Sequence, residues 1–139
     1  MKITIPLYKS YSTRSGRKKV LFSLNNYMMP LKSNKQINTY YLEKAKSDLM
    51  SEVTDAVEGV EPITQFPCDL LITVYRETDR QTDMGNYSIL EKFTTDAIVK
   101  AGIIPDDCWK YIKSVSFLDG GKDKENPRAE YFLREPKKS

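Results

Sequence analysis

Residues 82–107 read TDMGNYSILEKFTTDAIVKAGIIPDD, and the interpretation of the whole chain starts from this stretch. From about Asn86 to Ala101, apolar side chains recur every three or four residues, which predicts a helix. Gly102 favours the left-handed backbone that ends a helix, and Pro105 prevents the helix from continuing. The stretch is therefore predicted to be one helix with a polar start and a defined end.

Acidic side chains stand at both ends of this predicted helix. Asp83 precedes it, and the adjacent residues Asp106 and Asp107 follow it. A helix that only had to fold would not need acids at both ends, so we predict that the fold brings these ends together as a metal site. Two simpler interpretations remain open. Asp83 would also serve as a helix cap, and an Asp-Asp pair is common in turns.

Further polar residues lie along the same helix. Asn86 falls on its apolar face, and a buried amide without partners costs about 1–3 kcal/mol. We therefore predict that it orients a metal-binding carboxylate or holds the turn that contains Asn25, unless it is a solvated cap. Lys92 and Asp96 are spaced for a weak ion pair, although the lysine-first order is the poorer one and favours contact of Lys92 with a phosphate. Glu91 is either a surface acid or a further metal ligand.

The absence of histidine narrows the possible chemistry. Every mechanism that needs a histidine base or a histidine metal ligand is excluded. Carboxylates holding Mg²⁺ or Mn²⁺ remain, because these hard cations prefer oxygen ligands. No organic cofactor is expected.

Length and composition indicate one globular domain over residues 1–139, with residues 135–139 as a frayed basic tail. The N-terminus lacks the apolar run of a signal peptide, and no stretch approaches the roughly 18 apolar residues of a membrane span. Cys68 and Cys108 are far apart and are expected to be free thiols. These features predict a cytoplasmic protein without a membrane partner.

Charge is segregated along the chain. The net charge is +8 over residues 1–50, −8 over residues 51–107 and +3 over residues 108–139. Cations that lie along phosphates and acids that hold a metal are what a nuclease needs, although charge blocks also occur as solvated surfaces. The predicted DNA-binding residues are Arg14, Arg17, Lys18, Lys19, Lys32 and Lys35.

The pattern of elements predicts the order β-β-α-β-α-β-β. Strands at residues 2–6 and 19–23 are expected to pair with each other across a basic loop or hairpin. The apolar run at residues 68–75 is predicted to be the central strand, covered on both faces or lying at a dimer interface. The remaining elements are helices at about 38–57 and 86–101 and a final hairpin of strands at 109–118 and 129–134. This is an α+β fold with a mixed sheet and two helices, most simply arranged as two layers.

The polar residues around the second predicted helix form a motif. It runs Asp83-x-x-Asn86, Glu91-Lys92-x-x-x-Asp96-Ala97, Lys100-Ala101-Gly102 and Asp106-Asp107. It resembles the signature of the RusA family of Holliday-junction resolvases, which occur largely in bacteriophages and prophages. The turn Leu24-Asn25-Asn26-Tyr27 is similar to an asparagine-bearing turn of that family.

The resemblance implies a homodimeric, Mg²⁺-dependent endodeoxyribonuclease that nicks four-way DNA junctions symmetrically inside a bacterial host cell. It places the essential metal-site and catalytic residues on Asp83, Asp107 and Lys92. The chain departs from the family pattern at Gly85, where well-known members carry a second acid. Either Glu91 replaces that acid, or the site holds fewer ligands.

Overall fold

The computed structural model describes residues 1–14, 16–22, 35–79 and 84–137 of the chain. In chain order, its elements are β1 Lys2–Pro6, β2 Tyr8–Thr13, β3 Gly16–Leu21, α1 Lys35–Ala56, β4 Cys68–Arg76, a 3-10 turn Met84–Tyr87, α2 Ser88–Lys100, β5 Ile112–Lys122 and β6 Arg128–Arg134. No helix in these ranges is both long enough and apolar enough to cross a membrane.

The fold is α+β, as predicted, with a mixed four-stranded sheet in the order β1-β6-β4-β5 and two helices. Strand β4 runs parallel to β5 and antiparallel to β6. Strands β2 and β3 form a separate antiparallel hairpin. The helices cover one face of the four-stranded sheet, which gives two layers.

Strand β4 holds the centre of the sheet, which confirms its predicted place. Its residues alternate, so that Cys68, Leu70, Ile72 and Val74 are buried under the helices, whereas the residues between them are only partly buried. The described residues therefore cover β4 on one face, and the expectation of cover on both faces does not hold for them. The hydrophobicity of β4 comes from its central position and one buried face.

Two predicted strand pairings are wrong. Strand β1 pairs with β6 rather than with β3, and β3 instead pairs with an additional strand, β2, in the basic segment. Strands β5 and β6 do not form a hairpin, because β4 lies between them. Parallel pairing of β4 with β5 requires a crossover, and α2 supplies it. A local pattern identifies a strand, but it does not identify the strand's neighbours.

Helix α2 ends as the sequence predicts. Gly102 has a φ of +81°, and its N–H donates to the Val99 carbonyl while the Ile103 N–H donates to the Ile98 carbonyl. This pair of hydrogen bonds is the Schellman arrangement, which requires a left-handed residue just past the helix. The helix starts slightly later than predicted, because residues 84–87 form a 3-10 turn before it.

The core lies between the two helices and the covered face of the sheet. Its largest fully buried side chains are Tyr131, Phe22, Ile5, Leu7, Leu49, Leu70, Ile72, Leu90, Ile98, Ile104 and Leu133. Burial of Ile103 and Ile104 anchors the loop that follows α2. The two aspartates that come next, Asp106 and Asp107, are therefore held at the surface beside the end of the helix.

Strand β5 starts at Ile112, three residues later than predicted. The three residues before it form a turn, in which the N–H groups of Tyr111 and Ile112 both donate to the Cys108 carbonyl. Trp109 lies in this turn and is 82% exposed, so its apolar character does not reflect burial in a strand. Cys68 and Cys108 are both free thiols, as predicted.

Candidate functional site

The structure describes six of the predicted site residues in and around α2: Asn86, Glu91, Lys92, Asp96, Asp106 and Asp107. Asp83 and Asn25, which the sequence assigns to metal binding and to an orienting turn, lie outside the described residues. The site is therefore built here from α2 and from the loop that follows it.

Glu91 is anchored by a hydrogen-bond chain that reaches into the core. The hydroxyl of Thr95, one turn further along α2, donates to the Glu91 carboxylate at 3.1 Å. The same Thr95 oxygen lies 2.8 Å from the hydroxyl of Tyr131 on β6. Thr95 and Tyr131 are both fully enclosed, at 2% and 0% exposure. Glu91 therefore has a fixed position at the border between core and surface.

The electrostatic environment links Glu91 to two of the other acids. Partial burial raises the pKa of the Glu91 carboxyl, and the nearby negative charges of Asp107 and Asp96 raise it further, against the lowering effects of Thr95 and Lys92. Burial also raises the pKa of Tyr131, with added contributions from Glu91 and Asp107. Glu91, Asp96 and Asp107 therefore share one region of negative potential, as a cation site would require.

The adjacent aspartates have different environments. The Asp107 N–H donates to the Asp106 carboxylate at 2.8 Å, so one oxygen of Asp106 is turned back onto its own loop. Both side chains are exposed. Asp107 acts electrostatically on Glu91 and Tyr131, because its negative charge raises the pKa of both groups. Asp107 therefore contributes to the negative potential around Glu91.

A groove runs between α1 and α2 and contains three of the acids of the site, Asp96, Asp106 and Asp107. One open pocket of about 410 Å³ is lined by Lys46, Met50, Asp96, Val99, Lys100, Asp106 and Asp107. A neighbouring pocket of about 400 Å³ shares Lys46, Met50 and Lys100 with it and is otherwise lined by Glu43, Ser47, Ser51 and Thr54. We call these two pockets together the interhelix groove. Asp96, Asp106 and Asp107 line one end of it, Glu43 lines the other end, and Lys46 and Lys100 line both pockets.

The charges in this groove are not neutralised by one another. Seven ion pairs within 4.0 Å join charges on the sheet strands and their connecting loops. None involves Lys46, Lys100 or Asp96, although these three side chains line the same pocket. The predicted pair of Lys92 with Asp96 is likewise not formed, and Lys92 is exposed. These charged groups are therefore available to bind a ligand.

The position and burial of Asn86 differ in part from those that the sequence predicts. It lies in the 3-10 turn before α2 and is half-buried, not enclosed in the apolar face. It does not cap the helix, because the N-cap residue is Tyr87 and no side chain makes a capping hydrogen bond to the helix start. No side-chain hydrogen bond of Asn86 is formed within residues 84–137 or the other described ranges. Its predicted role in orienting a ligand remains a prediction.

The predicted DNA-binding residues are described only in part. Arg14 and Arg17 are exposed at the turn between β2 and β3. Lys18 and Lys19 belong to β3 and Lys35 begins α1, but the positions of these three side chains are not described. Lys32 lies outside the described residues.

Sequence reasoning assigned no role to four residues of this region: Lys46, Lys100, Thr95 and Tyr131. Local spacing signals two of them, because Thr95 follows Glu91 by one helical turn and Lys46 precedes Met50 by one turn. Tyr131 gives no local signal, since its contact with Thr95 depends on where β6 lies in the sheet.

The carboxylates here are of the ligand type that Mg²⁺ prefers. In the described part of the chain, no three acidic, histidine or cysteine side chains are grouped closely enough to enclose a metal ion. Mg²⁺ does not need such a cage, because it usually binds to one or two carboxylates and keeps several water or phosphate ligands. Glu91 and Asp107 are the described residues that would hold it.

No protein-family model matches the sequence, and no curated protein matches it significantly. The similarity to a known family therefore rests on the motif residues themselves.

Proposed function

We propose that this protein is a Mg²⁺- or Mn²⁺-dependent endodeoxyribonuclease that nicks branched DNA, with the four-way junction as its substrate. The observation that carries the proposal is that Asp96, Asp106 and Asp107 line one end of a groove whose lysines are not paired with them, while the charges of Asp107 and Asp96 also act on the neighbouring Glu91. Acids for a metal beside unpaired cations for phosphates suit phosphodiester hydrolysis without histidine.

The chain's own residues have distinct parts in this proposal. Glu91 and Asp107 hold the metal ion, together with Asp83 from the RusA-type motif, and Thr95 fixes the direction of the Glu91 carboxylate. A metal ion in this position supplies an activated water and neutralises charge on the phosphate. Lys92, exposed on the next position of α2, contacts the phosphate that is cut.

The groove and the neighbouring loops bind the rest of the substrate. Lys46 and Lys100 contact backbone phosphates next to the cleaved one, because both are exposed and unpaired beside the acids. Arg14 and Arg17 contact a more distant arm. Trp109 presents its indole two residues beyond Asp107, where it stacks on a base at the branch point.

We further propose that the protein acts as a homodimer. A four-way junction offers two equivalent strands, and a two-fold symmetric dimer presents one site to each. In keeping with the RusA-type motif, the protein belongs to a phage or prophage and works in the bacterial cytoplasm.

The alternative function is a protein that binds branched DNA but cuts it weakly or not at all. Gly85 favours this alternative, because it stands where the resembling family carries an acid, and the acids that the structure describes do not form a group of three. The two functions differ in metal-dependent cleavage and not in binding.

Substitution of Asp107 by asparagine tests the proposal. The variant keeps the size of the side chain but loses its charge, so we expect nicking of a labelled four-way junction to fall at least about 100-fold while binding in chelator is unchanged. Asp106→Asn is the matched control, and it should lose much less activity because one oxygen of Asp106 is turned back onto its own loop by the Asp107 N–H. Cleavage by the unmodified protein in excess chelator, or full activity of Asp107→Asn, would contradict the nuclease function. Tight binding with no cleavage under any metal would support the alternative.

A further inference from the structure

Tyr131 places a hydroxyl group in the core beneath α2. Its neighbours across the sheet are Ile3 on β1 and Ile72 on β4, and all three side chains are buried. Because β6 has a hydrogen-bonded strand on each side, the Tyr131 side chain starts from a fixed backbone position. A phenylalanine would fill nearly the same space, and a buried hydroxyl costs free energy unless it has a hydrogen-bond partner. Packing alone therefore does not account for the hydroxyl of Tyr131.

The hydrogen bonds of Tyr131 and Thr95 run in one direction. The Thr95 hydroxyl has a single proton, which it donates to Oε1 of Glu91 at 3.1 Å. The Thr95 oxygen must then accept the proton of the Tyr131 hydroxyl, which lies 2.8 Å away. Burial raises the pKa of Tyr131, so this hydroxyl stays protonated and serves as the donor. The chain of donors therefore leads from the sheet through Thr95 to the Glu91 carboxylate.

The two hydroxyl groups do not need Glu91 in order to be paired. Thr95 and Tyr131 already bond to each other, whereas the half-buried Glu91 carboxylate loses part of its hydration, which raises its pKa. A chain that only stabilised the core would therefore end more favourably at Thr95. Its extension to Glu91 holds a carboxylate by Oε1 and leaves Oε2 for a cation.

We propose that Tyr131 is a positioning residue for the metal site, because through Thr95 it holds the Glu91 carboxylate in the orientation that binds Mg²⁺ or Mn²⁺. This inference rests on the proposed function, which assigns Glu91 to the metal ion, and it adds a residue of the sheet to the site. Hydrogen bonds from behind a metal ligand fix its direction, and their loss typically weakens metal affinity by about 10–100-fold. Tyr131 does not bind the metal itself and acts only through Thr95.

Binding of Mn²⁺ in the absence of DNA tests the inference without requiring cleavage. Electron paramagnetic resonance measures the free Mn²⁺ in a titration and so gives the dissociation constant. We expect Thr95→Val to raise this constant at least about tenfold and Tyr131→Phe to raise it about three- to tenfold, since Thr95 then keeps its bond to Glu91 but loses its own support. Thr95→Ser keeps the hydroxyl and should stay within about twofold of the unmodified protein.

A double-mutant cycle separates positioning from a general loosening of α2. Because Tyr131 acts only through Thr95, adding Tyr131→Phe to Thr95→Val should not weaken Mn²⁺ binding any further. Thr94→Val is the matched control, since it removes a buried hydroxyl that has no partner in the described part of the chain, and it should leave Mn²⁺ affinity unchanged. Each variant is titrated at a temperature at which circular dichroism shows it to be folded.

The outcomes distinguish this inference from the nuclease function. Additive effects in the cycle, or unchanged Mn²⁺ affinity in both Tyr131→Phe and Thr95→Val, would overturn the inference and leave the nuclease function in place. An unmodified protein that binds no Mn²⁺ would overturn both. Coupled loss of Mn²⁺ affinity in a protein that cuts no junction would support the positioning role of Tyr131 and contradict the nuclease function alone.

Discussion

Thr94 and Thr95 are neighbouring threonines in α2, both fully buried, but their hydroxyl groups differ. Thr95 bonds to Glu91 and Tyr131, whereas the Thr94 hydroxyl has no hydrogen-bond partner in the described part of the chain. A buried hydroxyl stabilises a fold only when it is paired, because burial removes its bonds to water. This pair of residues therefore separates the contribution of the hydrogen-bond chain from that of burial alone.

We expect Thr95→Val to lower the free energy of unfolding by about 1–3 kcal/mol, because it leaves the Tyr131 hydroxyl buried without a partner. Thr94→Val removes an unpaired hydroxyl of similar shape, so its effect should be within about 0.5 kcal/mol or stabilising. Urea unfolding of both variants in chelator measures the difference. Adding Tyr131→Phe to Thr95→Val should restore part of the loss, and equal losses for the two threonine variants would show that the chain of hydrogen bonds contributes nothing.

Only part of this site is predictable at the level of single residues. The spacing of Glu91, Asp96 and Asp107 marks them as acids around one helix, and the described structure places their charges in one region. The support under Glu91 comes from Tyr131, which is 36 residues beyond Thr95. Such a contact exists only because β6 lies next to β4, and no local pattern contains that information.

The two helices contribute different side chains to the interhelix groove. Helix α1 contributes Lys46 and Met50, and α2 contributes Asp96, Val99 and Lys100. The apolar side chains form its floor, and the charged groups stand above them in solvent. An extended phosphodiester strand could lie along such a groove, with its phosphates on the lysines and one phosphate at the acids.

We expect Lys46→Ala and Lys100→Ala each to weaken binding of a four-way junction in chelator. Each should also reduce the slope of log affinity against log salt by about 0.9, because one phosphate contact releases roughly that many counterions. Fluorescence anisotropy across a salt series measures both quantities. Lys124→Ala removes the same charge from the exposed loop between β5 and β6, and it should change the slope by less. A slope that is equally reduced in all three variants would mean that the groove is not a binding site.

Elements were predictable one at a time, but their arrangement was not. The apolar alternation of residues 68–75 and the glycine stop at Gly102 predict β4 and the end of α2, and both are found. The predicted β5–β6 hairpin is wrong because β4 takes β6 on one side and β5 on the other. Strand pairing depends on which apolar faces complete the core together, which is a property of the whole sheet.

The charges of the whole molecule are divided between two tasks. On the sheet and its loops, acids and bases neutralise each other in pairs such as Arg128 with Asp123 and Arg134 with Asp69. Around the interhelix groove, charges of both signs stay unpaired within the described residues.

A dimer with one site per subunit makes a prediction that a monomer does not. Glu91 and Asp107 belong to the same chain, so each subunit of the proposed dimer carries its own described acids, and inactivating one subunit should leave the other able to cut. We expect a dimer of one unmodified and one Asp107→Asn subunit, isolated by two different tags, to nick a plasmid-borne cruciform once. It should yield nicked circles, whereas the unmodified dimer yields linear plasmid through paired nicks, and the two products separate on a gel. Linear product at the unmodified rate would contradict one site per subunit, because a single intact subunit would then be cutting both strands. Loss of all nicking would instead mean that each site needs Asp107 from both chains.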